Sequence, residues 1–237
     1  MKKTTCYRAL FYVLGLLILA LGLTLNTKAG LGVSPIISVS YSVSQIFSLN
    51  FGDTTLVLYC IFVLVELVLH LTHGRAGEGT PGSRRLTLLL DVLQIPLSLI
   101  FTRFLNLFVA LLPDFSSGTD SLSQLPARLA VLLLAIVCTG VGAAMSLSMR
   151  LVPNPGDGIV QAIADCIGKS VGFTKNCFDL VNITITITLS LCLAGQLVGV
   201  GIGTVVAVIG VGRVIALFHH LTGKRIGELS GLTAAKA

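Results

Sequence analysis

Long apolar runs separated by brief polar breaks fill the chain, and two shorter runs interrupt that rhythm. Six runs are long enough to span about 30 Å of hydrocarbon as helices rising about 1.5 Å per residue. They cover residues 8–26, 54–71, 86–110, 128–149, 177–194 and 199–221. Helices are predicted because in lipid every backbone N–H and C=O must pair within its own segment. The stretch from Asn182 to Ser190 (NITITITLS) alternates as a strand would. A lone strand leaves its backbone unpaired in hydrocarbon, so this stretch too is predicted to be helical.

The shorter runs, 35–49 and 157–171, are too brief to cross. Each follows a Gly/Pro-rich stretch and carries a helix-start signal, Ser34 before Pro35 in one and Asp157 in the other. A shift of 122 residues superposes them without a gap: Lys28 falls on Arg150, Ile37 on Ile159, Ser48 on Ser170, Phe51 on Phe173 and Leu58 on Leu180. The chain therefore reads as a single membrane domain, 1–237, made of two repeats, 1–115 and 124–237.

Charge orients the spans. Lys2, Lys3 and Arg8, then Arg75, Arg84 and Arg85, then Lys224 and Arg225 mark cytoplasmic segments. The 113–127 loop, with Asp114 and Asp120, belongs outside. This pattern holds only when neither short run crosses. Three crossings per repeat is an odd number, so the repeats are expected to be inverted relative to each other, as in transporters and channels. The expected fold is all-α and integral to the membrane. It has six transmembrane helices in two inverted three-helix repeats, each with a short re-entrant or interfacial half-helix after its first span. An interfacial helix carries a strongly charged face, and 35–49 has no charged residue, which favours re-entry. Re-entry aims each half-helix amino terminus, with its free N–H groups, towards the bilayer centre.

Composition narrows the function classes. Charged residues make up 11% of the chain, against about 25% in soluble domains, and the mean hydropathy is +0.95. Lipid is the expected solvent for much of the surface. The net charge of +6 would suit nucleic acid, but the basic residues stand singly or in pairs without aromatic interleaving, so no nucleic-acid partner is expected. Cys6, Cys60, Cys138, Cys166, Cys177 and Cys192 form no CxxC pair and read as small packing residues. Lys2, Lys3 and Arg8 precede an apolar run that is longer than the about 7–15 residues of a secretory signal, so that run is taken as the first span. No HExxH, GxSxG or Walker A motif is present, so neither enzymatic activity nor a cofactor is expected.

Three motifs stand out: AGLGVSP at Ala29–Pro35, PNPGDG at Pro153–Gly158, and GIGT at Gly201–Thr204 followed by Gly210 and Gly212. With them the chain resembles the YczE/YyaS/YitT-type bacterial membrane proteins over nearly its whole length. The resemblance implies a multi-pass protein of the bacterial cytoplasmic membrane, without a firmly assigned activity. Charge adds the expectation that both termini are cytoplasmic.

Ionisable residues inside spans are costly and point to function. Arg213 is the deepest of them. It is expected to face the bundle interior near Asp157 or the Ser34–Pro35 turn, or to pair with Glu66 or Asp91. Glu66 and Asp91 suit an ion or proton relay, or else reach interfacial water. Asp157, Gln161, Asp165 and Lys169 recur every four residues as one helical stripe, either lining a cavity or wetting an interfacial face. Ser40, Ser44 and Ser48, and likewise Asn182, Thr186 and Ser190, form milder stripes. His70, His73, His219 and His220 read as juxtamembrane histidines rather than metal ligands. Gly199, Gly203, Ala207 and Gly210 present a small-residue face for close helix packing. The expected function is a transporter or channel for a small polar or anionic solute. Its site would lie near the bilayer midplane at the repeat interface, built from Ser34, Pro35, Asn154, Asp157, Gln161, Asp165 and Arg213. The alternative is a non-transporting accessory protein that binds another membrane component. Either reading leaves room for a homo-oligomer or a membrane partner.

The topology can be tested with a single cysteine at position 79 in a cysteine-free background. A membrane-impermeant maleimide should label it only after the cytoplasmic face is opened. Labelling from outside intact cells would refute the assignment.

Overall fold

The computed structural model describes residues 2–73, 81–115 and 124–231. They form α1 (Lys2–Ala29), α2 (Pro35–Ile46), α3 (Phe51–His73), α4 (Pro81–Leu111), α5 (Leu125–Ser148), α6 (Pro155–Ile167), α7 (Val171–Ala194) and α8 (Ile202–Ser230). Six of these are long and apolar enough to cross a membrane. The other two, α2 and α6, have 12 and 13 residues. Arg75, Asp120 and position 79, used above for sidedness, lie outside the described residues.

Several boundaries differ from the sequence reading, each for a local reason. Asn154, not Asp157, caps α6: its side-chain oxygen accepts the Gly156 N–H at 3.1 Å, and Pro155 takes the first helical position, where its missing N–H costs nothing. The helix stops at Ile167 because Gly168 turns left-handed, which leaves Lys169 off the helix and out of the polar stripe. Ser170 then caps α7 by accepting the Phe173 N–H, so the fifth span starts at Val171 rather than 177. In the first half α2 ends at Ile46, not 49. The last helix runs Ile202–Ser230 rather than 199–221. The alternating stretch 182–190 is helical. Thr184, Thr186 and Thr188 bond their hydroxyls back to the carbonyls four residues earlier, which hides polar hydrogens from lipid.

Helices α3 and α4 expose apolar residues and bury polar ones. On α3, Val57, Ile61, Leu64, Val68 and Leu71 are exposed, while Thr55, Tyr59, Glu66 and His70 are buried. On α4, Leu86, Leu89, Leu93 and Ile100 are exposed, while Thr87, Asp91, Gln94, Ser98 and Thr102 are buried. A protein folding in water sorts its residues the other way. This sorting is what a hydrocarbon solvent selects.

The chain forms two compact units, each drawing on both halves of the sequence. Unit 1 holds residues 1–34, 104–151 and 200–237, and unit 2 holds 35–103 and 152–199.

In unit 1, α1 and α5 run antiparallel at very close range. A Cβ on Gly15 would lie 2.7 Å from the Ser146 nitrogen, one on Gly22 2.4 Å from the Thr139 nitrogen, and one on Gly142 2.4 Å from the Leu19 nitrogen. Backbone therefore touches backbone. The two ends are closed reciprocally. Arg8, near the start of α1, donates to the Met149 and Arg150 carbonyls just past the end of α5, at 2.7 and 2.8 Å. Arg128, near the start of α5, donates to the Ala29 and Gly30 carbonyls at the end of α1. Each guanidinium satisfies carbonyls that the helix cannot pair itself, at the negative end of its dipole. Helix α8 lies parallel to α5, with Gly210 against Ile136 and Gly140 against Val214. Their apolar core is Ala29, Leu132, Ile136, Ala207 and Val211. The Gly203 N–H donates to the Leu31 carbonyl at 2.7 Å. Gly32, at φ +108°, makes room for Gly201 and Thr204 beside it.

Unit 2 is held by hydrogen bonds as much as by apolar packing. Helix α2 runs parallel to α7, with Ser38 bonded to Thr186 and Ser42 to Ser190. Ser40 meets Thr55 of α3. Of the expected stripe Ser40, Ser44 and Ser48, only Ser40 bridges to another helix. Ser44 bonds the Tyr41 carbonyl of its own helix and Ser48 lies past the end of α2, while Ser38 and Ser42 make the bridges to α7. Helix α6 packs on α3 and α7. Helices α3 and α4 are antiparallel and meet through Asp53–Arg103, Tyr59–Phe101, Glu66–Gln94 and His70–Asp91.

The seam between α1 and α5 gives a stability prediction. Gly142→Ala places a methyl against the α1 backbone and should destabilise the protein by on the order of 1–3 kcal/mol. Gly212→Ala, where a Cβ meets nothing within 4 Å, should be neutral or slightly stabilising. Thermal unfolding in detergent reads both, and equal melting temperatures for the two variants would contradict the packing.

Candidate functional site

The inward polar faces of α3 and α4 converge on one cluster. Glu66 and His70 are four residues apart on α3, and Asp91 and Gln94 three apart on α4, so each pair shares a helix face. His70 Nδ1 lies 2.7 Å from Asp91 Oδ2, and Gln94 Nε2 donates to Glu66 Oε2 at 3.0 Å. All four side chains are buried. Gly158, in the first turn of α6, backs onto them: a Cβ there would lie 2.7 Å from Glu66 Oε2 and 3.0 Å from Gln94 Oε1. The amino-terminal turn of α6 is thereby set against an internal carboxylate, the charge its dipole favours.

A second group adjoins the same turn. Tyr59 lies beside Asn154 and Asp157. Asp157 is within electrostatic reach of Lys175 and Asp179 of α7, which form an ion pair at 3.1 Å. Ile36, in the first turn of α2, touches Gly156, in the first turn of α6. The amino termini of the two short helices therefore meet.

The residues singled out in the sequence divide accordingly. Glu66 and Asp91 are brought into one buried cluster, and Asn154 and Asp157 sit at the start of α6 next to it. Ser34 and Pro35 are buried ahead of and at the start of α2. Gln161 and Asp165 continue along α6 half-buried. Arg213 departs from the expectation. It is exposed on α8 and makes no hydrogen bond or ion pair among the described residues. The buried stripe of α8 runs through Ala207 and Val211, and two residues past Val211 is about 200° around the helix, on the opposite face.

His70, read from the sequence as a juxtamembrane histidine, is instead buried against Asp91, and Gln94, Tyr59, Lys175 and Asp179 were missed. The signal was present. Thr55, Tyr59, Glu66 and His70, and likewise Thr87, Asp91, Gln94, Ser98 and Thr102, recur at three- and four-residue steps through otherwise apolar spans. His73, His219 and His220 are exposed, as juxtamembrane histidines would be.

The chain is thus a multi-pass helical membrane protein, and one of its relatives is named as a membrane protein. It is 27% identical over 181 residues to the uncharacterized membrane protein YczE of Bacillus subtilis (strain 168), covering 76% of this chain and 74% of that one. It is 27% identical over 225 residues to an uncharacterized protein of Haemophilus influenzae, covering 93% and 88%. It is 25% identical over 225 residues to the uncharacterized protein YyaS of Bacillus subtilis, covering 92% and 98%. No solved structure matches it. Residues 6–220 match the model of one family throughout, and the chain belongs to that family, the family of unknown function DUF6198.

Proposed function

We propose that this protein carries a small polar solute across the membrane, with unit 2 as the part that handles it. The observation behind this reading is the meeting of the α2 and α6 first turns inside a unit whose buried face is polar. Half-helices that meet at their amino termini are a recurring way to build a solute site at bilayer depth. Polar groups buried in a lipid-facing bundle are expensive unless they serve a path or a site.

Helix directions support two inverted halves. The first helices of the halves, α1 and α5, are antiparallel, as three crossings per half require. The parallel course of α5 and α8 fits a non-crossing α6. The exchanged packing of α2 on α7 and α6 on α3 is the pairing a pseudo-two-fold produces. With the charge pattern of the sequence, this keeps both termini in the cytoplasm.

The expectation of an anionic solute loses its physical basis. It rested on Arg213, which is exposed, and on free half-helix termini, one of which faces Glu66. The buried acids Glu66, Asp91 and Asp179, with half-buried Asp157, outnumber Lys175, so a neutral or cationic solute fits better.

Purified protein can be melted against inorganic ions, amino acids, nucleosides, sugars and organic acids, and any solute that raises the melting temperature can then be followed into proteoliposomes. Asp157→Asn should weaken that solute's binding at least about tenfold, the effect of about 1.4 kcal/mol. Arg213→Met should leave it unchanged. If nothing in the panel stabilises the protein or enters the vesicles, transport fails and the accessory role becomes the better account.

A further inference from the structure

We propose that Glu66, His70 and Asp91, joined by the side-chain oxygen of Gln94, hold one divalent transition-metal cation. The inference concerns binding alone and stands whether or not the protein carries a solute.

The three residues are buried, and one donor atom from each lies within 4.8 Å of the others. Donors about 2.1 Å from a shared ion stand roughly 3.4 Å apart in a tetrahedral site, so small side-chain rotations close the set. A second observation points to the same place. Gln94 is fully buried and its Oε1 has no hydrogen-bond partner. That oxygen and Glu66 Oε2 both border the point where Gly158 lacks a side chain, 3.0 and 2.7 Å from an ideal Cβ there. The first turn of α6 is thus shaped around two oxygens, one of them an orphan.

A divalent cation answers both features. Its two charges balance the two carboxylates in a low-dielectric setting, and the orphan oxygen gains a ligand role. One imidazole nitrogen with carboxylate and amide oxygens, and no thiolate, suits Zn²⁺, Mn²⁺, Fe²⁺ or Co²⁺. All-oxygen sets are the rule for Ca²⁺ and Mg²⁺.

The test uses the full chain in detergent without an affinity tag and with His219→Ala and His220→Ala, which remove an exposed pair. The protein is stripped with chelator, incubated with Zn²⁺ or Mn²⁺, desalted and measured by elemental analysis. We expect about one equivalent per chain and a raised melting temperature. Glu66→Gln, His70→Ala and Asp91→Asn should each lower affinity by about 10–100-fold or more, the loss that even outer-shell changes produce. Gly158→Ala keeps every donor and should weaken binding by displacing Glu66 and Gln94. Helicity and monodisperse elution identify variants that have not folded, and any folded one of the four decides. A parent that retains neither metal, or binding unchanged in any folded one of the four variants, overturns the proposal.

Discussion

The contact between α1 and α5 is the constraint on which unit 1 depends. In lipid no hydrophobic effect drives one helix against another, so association rests on close fit and polar exchange. Both are present here. Gly15, Gly22 and Gly142 let main chain approach main chain, bringing many atoms into dispersion contact. Arg8 and Arg128 then lock the two ends by filling carbonyls the helices leave open. Helix α8 completes the unit by docking on α5 through Gly140 and Gly210.

Unit 2 solves the same problem with different chemistry. Its interior sets hydroxyls, carboxylates, amides and an imidazole among apolar side chains such as Ile37, Val63 and Ile159, and joins helix to helix as in Ser38–Thr186 and Ser42–Ser190. A glycine seam admits almost no change, because any added atom meets backbone. A hydrogen-bonded interior can exchange one partner for another, including water or an ion, with little loss of enthalpy. That difference is why the functional reading rests on unit 2, although both units expose many large apolar side chains.

Much of this was legible in the sequence, and the failures share a cause. The six spans, the two short helices and the helical state of 182–190 follow from length and from the demand that lipid-embedded backbone pair with itself. Glu66 and Asp91 stood out because a charge in a span is rare. His70 and Gln94 did not, because a histidine near a helix end and a neutral amide are unremarkable until their neighbours are known. Arg213 was misread for the converse reason: charge and depth were visible, but facing was not. Val211 and Ala207, lying on the opposite side of α8, held the answer. The serines of α2 were read on one face alone, which caught Ser40 but not Ser38 and Ser42, since Ser38, Ser40, Ser42 and Ser44 alternate around the helix and only the partners on α7 and α3 say which ones bridge. The ends of α6 depended on Asn154 and Gly168, whose dihedral roles compete with the equally plausible Asp157 and the apolar residues beyond.

The reciprocal arginine bonds also order events during synthesis. They join residues 98 to 142 positions apart, so α1 emerges long before its caps exist. At about 5–20 residues per second, the last carbonyls of α1 wait on the order of 5–20 s for Arg128. Through that interval the Ala29 and Gly30 carbonyls lack the guanidinium that serves them in the folded chain. The first helix is therefore an unfinished element until the fourth long helix arrives, and the two halves of the chain complete each other rather than maturing in turn.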